Sequence, residues 1–381
     1  MPRTILVTFL GAHVVNDFYA TIIPAFLPAL SDDFDLDYTE LGFLALTFSL
    51  LSGVLQPVAG HLADQRGKRR FIASFGFAMG AVGFLAMAAS PSFWIIVAVS
   101  LLCGLGASTY HPQATAFLVQ AFPGERGRIL GVHGRAGSVG HLLAPAVVVF
   151  ATAWIGWRWA MVAIALPLLI TSVLVRTRLD ETEPNPTTRL WDAFTPRLLK
   201  VAVAFGLVGI VLQSFITFSV QMLVDEGWSN TSAGSVLTAL LIVGVFSQPV
   251  GGRLFDQFGG RVVYAGAVVG TGLSVLLFVF TSGALSLLAI GGIAFFGFAM
   301  FPVGLALASQ MASDGQTGAA VGLMFGVSSL MSSLFKPVMG AVAEAVGDIR
   351  SALVWTLVVV VLAIPMSLIF DKGHVTASER V

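Results

Sequence analysis

The chain has 381 residues, of which 56% are hydrophobic and 10% are charged, and its formal net charge is zero. Soluble domains carry about 25% charged residues, so this composition excludes an ordinary soluble protein and predicts a protein embedded in a lipid bilayer. The neutral balance offers no basic surface for nucleic acid, so we expect no such partner, and the single cysteine, Cys103, excludes a disulfide within the chain.

Twelve apolar segments, each long enough to cross roughly 30 Å of hydrocarbon, follow one another along the chain. We place them near 4–30, 39–60, 71–90, 92–122, 129–153, 157–177, 197–224, 230–251, 261–281, 284–311, 317–343 and 350–370. The polar segment between the sixth and the seventh is interrupted by proline, which is typical of a linker. The sequence therefore predicts a first bundle in residues 1–178, a linker in 179–196 and a second bundle in 197–381.

The first span carries two ionisable side chains, His13 and Asp17, four residues apart. An ionisable group inside hydrocarbon costs at least about 2.5–3.5 kcal/mol, so it persists mainly beside a partner or a water-filled path. Residues four apart share one face of a helix and can share a proton. We predict that Asp17 carries a proton with His13 as its partner. The alternative is that Asp17 is a fixed counter-ion of Arg135.

The polar stretch 56–69 after the second span returns 192 residues later, at 248–261, with nine of fourteen positions identical. A Gly-rich, basic stretch that recurs at one offset after apolar segments indicates two homologous halves. In the first copy, Asp64 lies at a helix end, where a carboxylate faces the positive end of a neighbouring helix. Gly67 allows the tight turn that follows.

His111 precedes Pro112 in the fourth span, where proline removes a backbone hydrogen bond and bends the helix. Unperturbed histidine titrates near pH 6.5, so His111 is a second candidate proton site. The alternative is a neutral, hydrogen-bonding histidine. Four histidines and one carboxylate deep in the spans of the first half (His13, His111, His133, His141 and Asp17) also permit a Zn²⁺ or Fe²⁺ site, but only the His13/Asp17 pair has helical ligand spacing. We therefore expect no metal centre and no cofactor other than the proton gradient.

Arg135 in the fifth span and Lys336 in the eleventh are predicted to be buried cations in opposite halves. Together they outnumber the one buried carboxylate, Asp17, and surplus buried positive charge favours an anionic substrate. Each could instead be a structural partner of helix ends, and Lys336 could snorkel to the surface. The other predicted substrate-binding residues are polar or aromatic side chains along the same path: Tyr19, His133, His141, Gln113, Gln213 and Phe215.

The basic residues collect at loops that lie on one side of a twelve-span chain. They are Arg3, 66–70, Arg126, Arg128, 176–200, Arg253, Arg261 and Lys372. Only Arg158 and Arg350 lie near the opposite ends, so the positive-inside rule predicts cytoplasmic termini in a bacterial-type inner membrane. Amphipathic tryptophans favour the interface, and the predicted outer belt is Trp94, Trp154, Trp157, Trp159 and Trp228.

The stretch GHLADQRGKR at 60–69 resembles the loop signature between spans two and three of the major facilitator superfamily. A weaker copy at 252–261 stands between spans eight and nine, and PGERGR at 123–128 resembles the family's loop between spans four and five. TYHPQATAF at 109–117 and the polar residues of span one resemble the fosmidomycin-resistance group of exporters. Span five, up to Pro145, is similar to the signature of drug/proton antiporters.

The resemblance implies an all-α membrane protein with twelve transmembrane helices in two pseudo-symmetric six-helix bundles. In the family, loop contacts hold the two halves together in one state of an alternating-access cycle. The residues to which this gating role is carried over are Gly60, Asp64, Gly67, Lys68, Arg69, Glu125, Arg126, Asp256, Arg261 and Pro145.

Residues and resemblance together predict a monomeric, proton-coupled transporter that exports a small organic compound, with the lipid bilayer, the substrate and protons as its partners. A symporter that imports a small organic anion would have the same fold and the same Asp17. Transport of a divalent metal or a metal chelate is a further alternative. We expect no enzyme activity, because no nucleophile, base and orienting group occur together near the histidines.

Overall fold

The computed structural model describes residues 2–122, 126–181, 195–311 and 317–370. Throughout these ranges the regular secondary structure is helical. The α-helices are α1 (Pro2–Ala20), α2 (Ile22–Phe34), α3 (Tyr38–Val54), α4 (Gln56–Arg66), α5 (Arg69–Ala88), α6 (Phe93–Ser108), α7 (Tyr110–Ala121), α8 (Arg126–Arg178), α9 (Pro196–Asp225), α10 (Asn230–Phe280), α11 (Gly283–Met311), α12 (Thr317–Val346), α13 (Ile349–Ala352) and α14 (Thr356–Ala363). Short 3₁₀ turns at Leu353–Trp355 and Pro365–Ile369 complete the last span.

Eleven stretches of the described chain are helical, long and apolar enough to cross a membrane. One of them, Val132–Arg178, has 47 residues, or about 70 Å at 1.5 Å per residue, which is enough for two crossings. Gly156 divides it, with φ of 75° and ψ of 157°. The described residues thus provide enough helix for twelve crossings, and the predicted fold class is confirmed.

Three predicted spans are interrupted near their middle, at Thr21, Leu55 and Thr109. Each interruption lies two or three residues before a proline: Pro24, Pro57 and Pro112. Proline lacks the N–H that would bond to the carbonyl four residues earlier, and its ring crowds that carbonyl. The bend predicted beside His111 is therefore present, and the same device acts in the first and second spans.

The repeated turn after spans two and eight has a glycine with positive φ in both halves, with ψ of 17° at Gly67 and 167° at Gly259. Gly67 has φ of 63° and Gly259, 192 residues later, has φ of 75°. Side chains other than glycine rarely adopt this left-handed region. The turn predicted at Gly67 is confirmed, and its recurrence supports the two-half organisation.

The two halves meet along α3 with α12, α8 with α10, and α2 with α9. At one end of the bundle, the amide and hydroxyl of Tyr38 donate to Glu344 (2.8 Å) and Asp225 (2.5 Å). Nearer the middle, Ser49 bonds to Ser333 at 2.8 Å. We call this end of the molecule the Tyr38 end and the opposite one the Gly67 end.

Two arginines in equivalent positions secure the Tyr38 end of each half. Arg158 donates to the carbonyl of Ala88 (3.0 Å), the last residue of α5, and to that of Ser90 (2.7 Å), two residues beyond. Arg350 donates to the carbonyls of Phe278 (2.8 Å) and Thr281 at the end of α10. Carbonyls at a helix C-terminus have no partner within the helix, and a cation there also faces the negative end of the dipole.

Tryptophans at the Tyr38 end are partly as predicted. Trp94, Trp154 and Trp159 are 57%, 91% and 67% exposed, as expected for side chains at a membrane interface. Trp157 departs from the prediction, because it is only 8% exposed. It packs against Phe34 and donates to Asp33 at 3.3 Å.

Candidate functional site

The carboxylate of Asp17 lies at the centre of a cluster of histidines from three helices. Its Oδ2 is 3.1 Å from Nε2 of His13 and 3.3 Å from Nε2 of His141, and its Oδ1 is 3.5 Å from Nε2 of His111. Asn16 donates to Oδ1 at 2.9 Å and faces Nε2 of His111 at 3.3 Å. We call these five residues the Asp17 cluster. Helix α1 supplies three of them, α7 supplies one and α8 supplies one.

The cluster is buried on one side and accessible on the other. The side chains of His13 and Asp17 are 7% and 9% exposed, whereas those of His111 and His141 are 38% and 36% exposed. The inner pair is thus buried, while the two outer imidazoles reach the surface of the protein. This arrangement is suited to passing a proton between solvent and a buried carboxylate.

Two glycines of α8 allow this close approach to α1. A Cβ on Gly137 would overlap Asp17 and lie 2.5 Å from Nε2 of His13, and a Cβ on Gly140 would lie 2.8 Å from the amide nitrogen of Phe18. Real Cβ atoms do not approach other atoms this closely. Small residues let membrane helices come into backbone contact. The Asp17 cluster therefore depends on glycine at position 137.

His13, Asp17 and His111 each offer one possible ligand atom, and these atoms lie within 4.8 Å of one another. The amide of Asn16 opposes occupation by a cation, because its N–H groups point at Oδ1 of Asp17 and Nε2 of His111. Those lone pairs are already satisfied by a neutral donor. The geometry thus favours protons over a metal ion, and metal transport remains the weaker alternative.

Lys336 is a buried cation at the contact between the halves. It is 6% exposed, and its Nζ donates to Ser49 Oγ (2.9 Å) and to the Ala45 carbonyl (3.5 Å) on α3. Within the described residues no carboxylate contacts it. The alternative that Lys336 snorkels to the surface is wrong, because its ammonium group points into the opposite half.

Arg135 is not the buried cation that the sequence suggested, because its side chain is exposed. It begins a row of exposed side chains on α8 that continues with Val139, Leu143 and Val147, which are 46%, 46% and 42% exposed. These are apolar residues at a spacing of four, as on a lipid-facing surface. The contacts that the described residues make with Asp17 come from histidines and Asn16, so the predicted counter-ion role of Arg135 is corrected.

Several predicted substrate-binding residues lie in packed interiors instead. Tyr19 donates to the Ile164 carbonyl and packs against Phe84. Phe215 is fully buried against Phe278. Aromatic side chains on apolar helices pack against neighbouring helices because this buries their large surface. Both side chains are held by these contacts, and Tyr19 borders a small cavity that Asn16 also lines.

Gln113 and His133 are likewise buried and already bonded. Gln113 accepts from Arg69 at 3.1 Å and donates to the Ala59 carbonyl at 3.1 Å. His133 is 5% exposed and lies behind His13, with ring centroids 3.9 Å apart. His141 belongs to the Asp17 cluster. Gln213 is partly exposed, and its role in substrate binding stays a prediction.

The predicted gating residues differ in how deeply they are buried. Arg69 is buried and tied to Gln113, which links the loop at Gly67 to α7. Lys68 is exposed, while Gly60 and Arg261 are half-buried and Pro145 is buried. Glu125 and the side chains of Asp64, Arg126 and Asp256 lie outside the described residues. The gating role of this set stays a prediction.

Sequence reasoning missed three contributors to the site. Asn16 and Tyr110 lie in the two stretches that carry the family resemblance, and Gly137 lies in span five, but the sequence assigns none of them a role; Tyr110 packs against His13 and bonds to His133. The signal for Asn16 was its position beside Asp17 in an apolar helix, where an amide needs partners. Nothing in the sequence places Gly137 opposite Asp17, because that contact joins different helices.

A model of the Major Facilitator Superfamily matches residues 9–224 and 201–380 of the chain. The fosmidomycin resistance protein of Escherichia coli (strain K12) is 25% identical over 351 residues, covering 87% of this chain and 84% of that protein. The quinolone resistance protein NorA of Staphylococcus aureus (strain Mu50 / ATCC 700699) is 24% identical, covering 98% of each. The fold is similar to that of a bacterial homolog of the human lysosomal transporter Spinster, with a TM-score of 0.80, 16% identity and 95% coverage of both chains.

Proposed function

Because this chain belongs to the major facilitator superfamily and is a multi-pass membrane transporter, we propose that it couples proton entry to the export of a small organic compound by alternating access. The observation that carries this proposal is the Asp17 cluster. One proton added to a buried carboxylate in contact with three imidazoles forms a hydrogen bond and removes the net negative charge from hydrocarbon. No other group of described residues combines burial, titratable side chains and access in this way.

Export is favoured by the relatives, two of which are named for resistance to fosmidomycin and to quinolones. These two compounds are therefore the first probes. Proteoliposomes that hold the wild-type protein are prepared with a lumen either more acidic or more alkaline than the bath. An antiporter accumulates the probe in the acidic lumen, whereas a symporter accumulates it in the alkaline one. This result separates the export proposal from the second candidate, proton/substrate symport.

Lys336 supports an anionic substrate. A buried ammonium group that contacts only neutral oxygens keeps an unbalanced charge, which an anion in the path between the halves would offset. Arg135 does not add to this buried charge, because its side chain is exposed. The remaining cation belongs to the second half and bonds to the first, so an anion bound at Lys336 would replace a contact between the halves.

We expect Lys336→Gln to lower affinity for an acidic probe by about tenfold or more and to leave affinity for its neutral ester within about twofold, since charge-assisted contacts are worth roughly 1.5–3 kcal/mol. Ser49→Ala is the matched control, because it removes the partner and keeps the charge. Binding is measured by calorimetry on purified protein. An equal loss for acid and ester would contradict the anionic class and favour an apolar drug instead.

The proposed location is the inner membrane of a bacterium, with the Gly67 end in the cytoplasm. This follows from the basic residues near that end. In a Cys103→Ser background, cysteine at the exposed positions Gln65 and Ser229 reports the two faces. We expect an impermeant thiol reagent added outside intact cells to label Ser229→Cys and to spare Gln65→Cys. The reverse pattern would overturn the orientation.

A further inference from the structure

Tyr110 and His133 lie directly behind the His13–Asp17 pair and have no role in the function proposed above. Tyr110 is 1% exposed and His133 is 5% exposed. Their side chains are joined by a contact of 2.9 Å between the Tyr110 hydroxyl and Nε2 of His133. The His13 ring lies against both, with centroid distances of 5.4 Å to Tyr110 and 3.9 Å to His133.

The hydrogen-bond partners fix which atoms carry protons. The Tyr110 hydroxyl has one proton, and it donates this proton to the carbonyl of Phe9 at 2.7 Å. In its contact with His133 the hydroxyl oxygen must therefore accept, so Nε2 of His133 carries a proton. The His133 ring is thereby held in one orientation, stacked on His13.

The protonated nitrogen of His13 is fixed by its hydrogen-bond partner as well. Its Nδ1 is 2.7 Å from the main-chain oxygen of His133, and a carbonyl oxygen only accepts. Nδ1 of His13 therefore carries a proton, and a neutral His13 presents the bare lone pair of Nε2 to Oδ2 of Asp17 at 3.1 Å. An ionised carboxylate opposite that lone pair is repelled. One added proton between the two atoms converts this contact into a hydrogen bond.

We propose that Tyr110 and His133 are positioning residues whose side chains hold the His13 ring in the orientation in which Nδ1 donates to the His133 carbonyl and Nε2 faces Asp17, so that the His13–Asp17 pair carries one shared proton in this conformation. The inference rests on the proposed proton coupling. The proton lies between Nε2 and Oδ2 and no other bond changes when it is lost. The proton leaves through His141 or His111, the other titratable groups that face the carboxylate. Arg135, on the same helix as His141, is exposed and is not among the described contacts of Asp17. Loss of the proton leaves the repulsive contact, which favours rearrangement of the site.

The test compares two fully buried tyrosines. Tyr110→Phe removes the hydroxyl that orients His133. Tyr264→Phe is the matched control, because Tyr264 is also fully buried and donates to a main-chain carbonyl, that of Ala204 at 2.9 Å. The readout is the infrared carboxyl band of Asp17 in purified protein over a range of pH, identified by its absence in Asp17→Asn. We expect the midpoint of this titration to move by about one pH unit or more in Tyr110→Phe, a tenfold change in proton affinity, and to stay in place in Tyr264→Phe.

A second variant separates positioning from general damage. His133→Phe keeps a stacked ring and loses the Nε2–H donor, so it should move the midpoint as Tyr110→Phe does. Because both substitutions break one bond, the double variant should move it no further than either single one. Unmoved midpoints, or equal shifts in Tyr264→Phe, would overturn the positioning role. If the wild type shows no pH-driven transport, the proposed function fails independently of this titration.

Discussion

Substitution of Asp17 by Asn is expected to abolish accumulation of substrate driven by a pH gradient, a loss of at least about a hundredfold, while substrate exchange at equal pH on both sides persists. Asn has nearly the shape of Asp and can still bond to its neighbours, but it takes up no proton in the physiological range. Without a group that binds and releases a proton, the pH gradient cannot drive the conformational cycle. Accumulation and exchange are measured in the same proteoliposomes.

The matched control for this change is Asp33→Asn. Asp33 is a carboxylate of the same first span that contacts Arg158 at 3.5 Å, at the Tyr38 end, and exposed ion pairs contribute about 0–1 kcal/mol. We expect its transport to stay within about twofold of wild type. If Asp17→Asn still accumulates substrate with normal pH dependence, Asp17 is not the proton carrier, and His141 and His111 become the candidates.

Substitution of Gly137 by Ala is expected to lower pH-driven accumulation at least about tenfold, although no polar group is removed. The added methyl group would overlap Asp17 and His13, so α8 and α1 must separate or the pair must turn away. Overpacking of this kind costs about 1–3 kcal/mol. Alanine also stabilises an isolated helix by roughly 1 kcal/mol relative to glycine, so a loss of transport must come from the contact rather than from the helix.

Gly134→Ala provides the comparison, because a Cβ at Gly134, one turn earlier on α8, meets nothing within 4 Å. We expect its transport and its infrared titration to match wild type. In Gly137→Ala, the Asp17 carboxyl band should shift together with transport. Normal transport in Gly137→Ala would mean that the close approach of α8 to Asp17 is not part of the working state.

The two halves carry different ionisable residues at equivalent positions of the repeat. In the repeat with an offset of 192 residues, Gly209 is the equivalent of Asp17 and Phe205 is the equivalent of His13. The second half thus lacks the proton pair at the equivalent positions. It supplies Lys336 instead, where the first half has Ala144. In the proposed mechanism, the first half binds the proton and the second half offers charge to the substrate.

The sequence by itself determined the fold class, the twelve crossings, the two halves and the pairing of His13 with Asp17. Each of these depends on local or periodic information. Hydrocarbon thickness sets span length, proline and glycine mark bends and turns, and residues four apart in one helix share a face whatever surrounds them.

Only the tertiary structure decided which other side chains reach Asp17. His141 and His111 belong to helices distant in sequence, and Arg135, only six residues before His141, faces away. Periodicity fixes the angle between two residues of one helix, but it does not fix how that helix is rotated about its axis. That rotation is set by packing, and here Gly137 and Gly140 turn one face of α8 onto α1, which brings His141 to the carboxylate and leaves Arg135 on the outside.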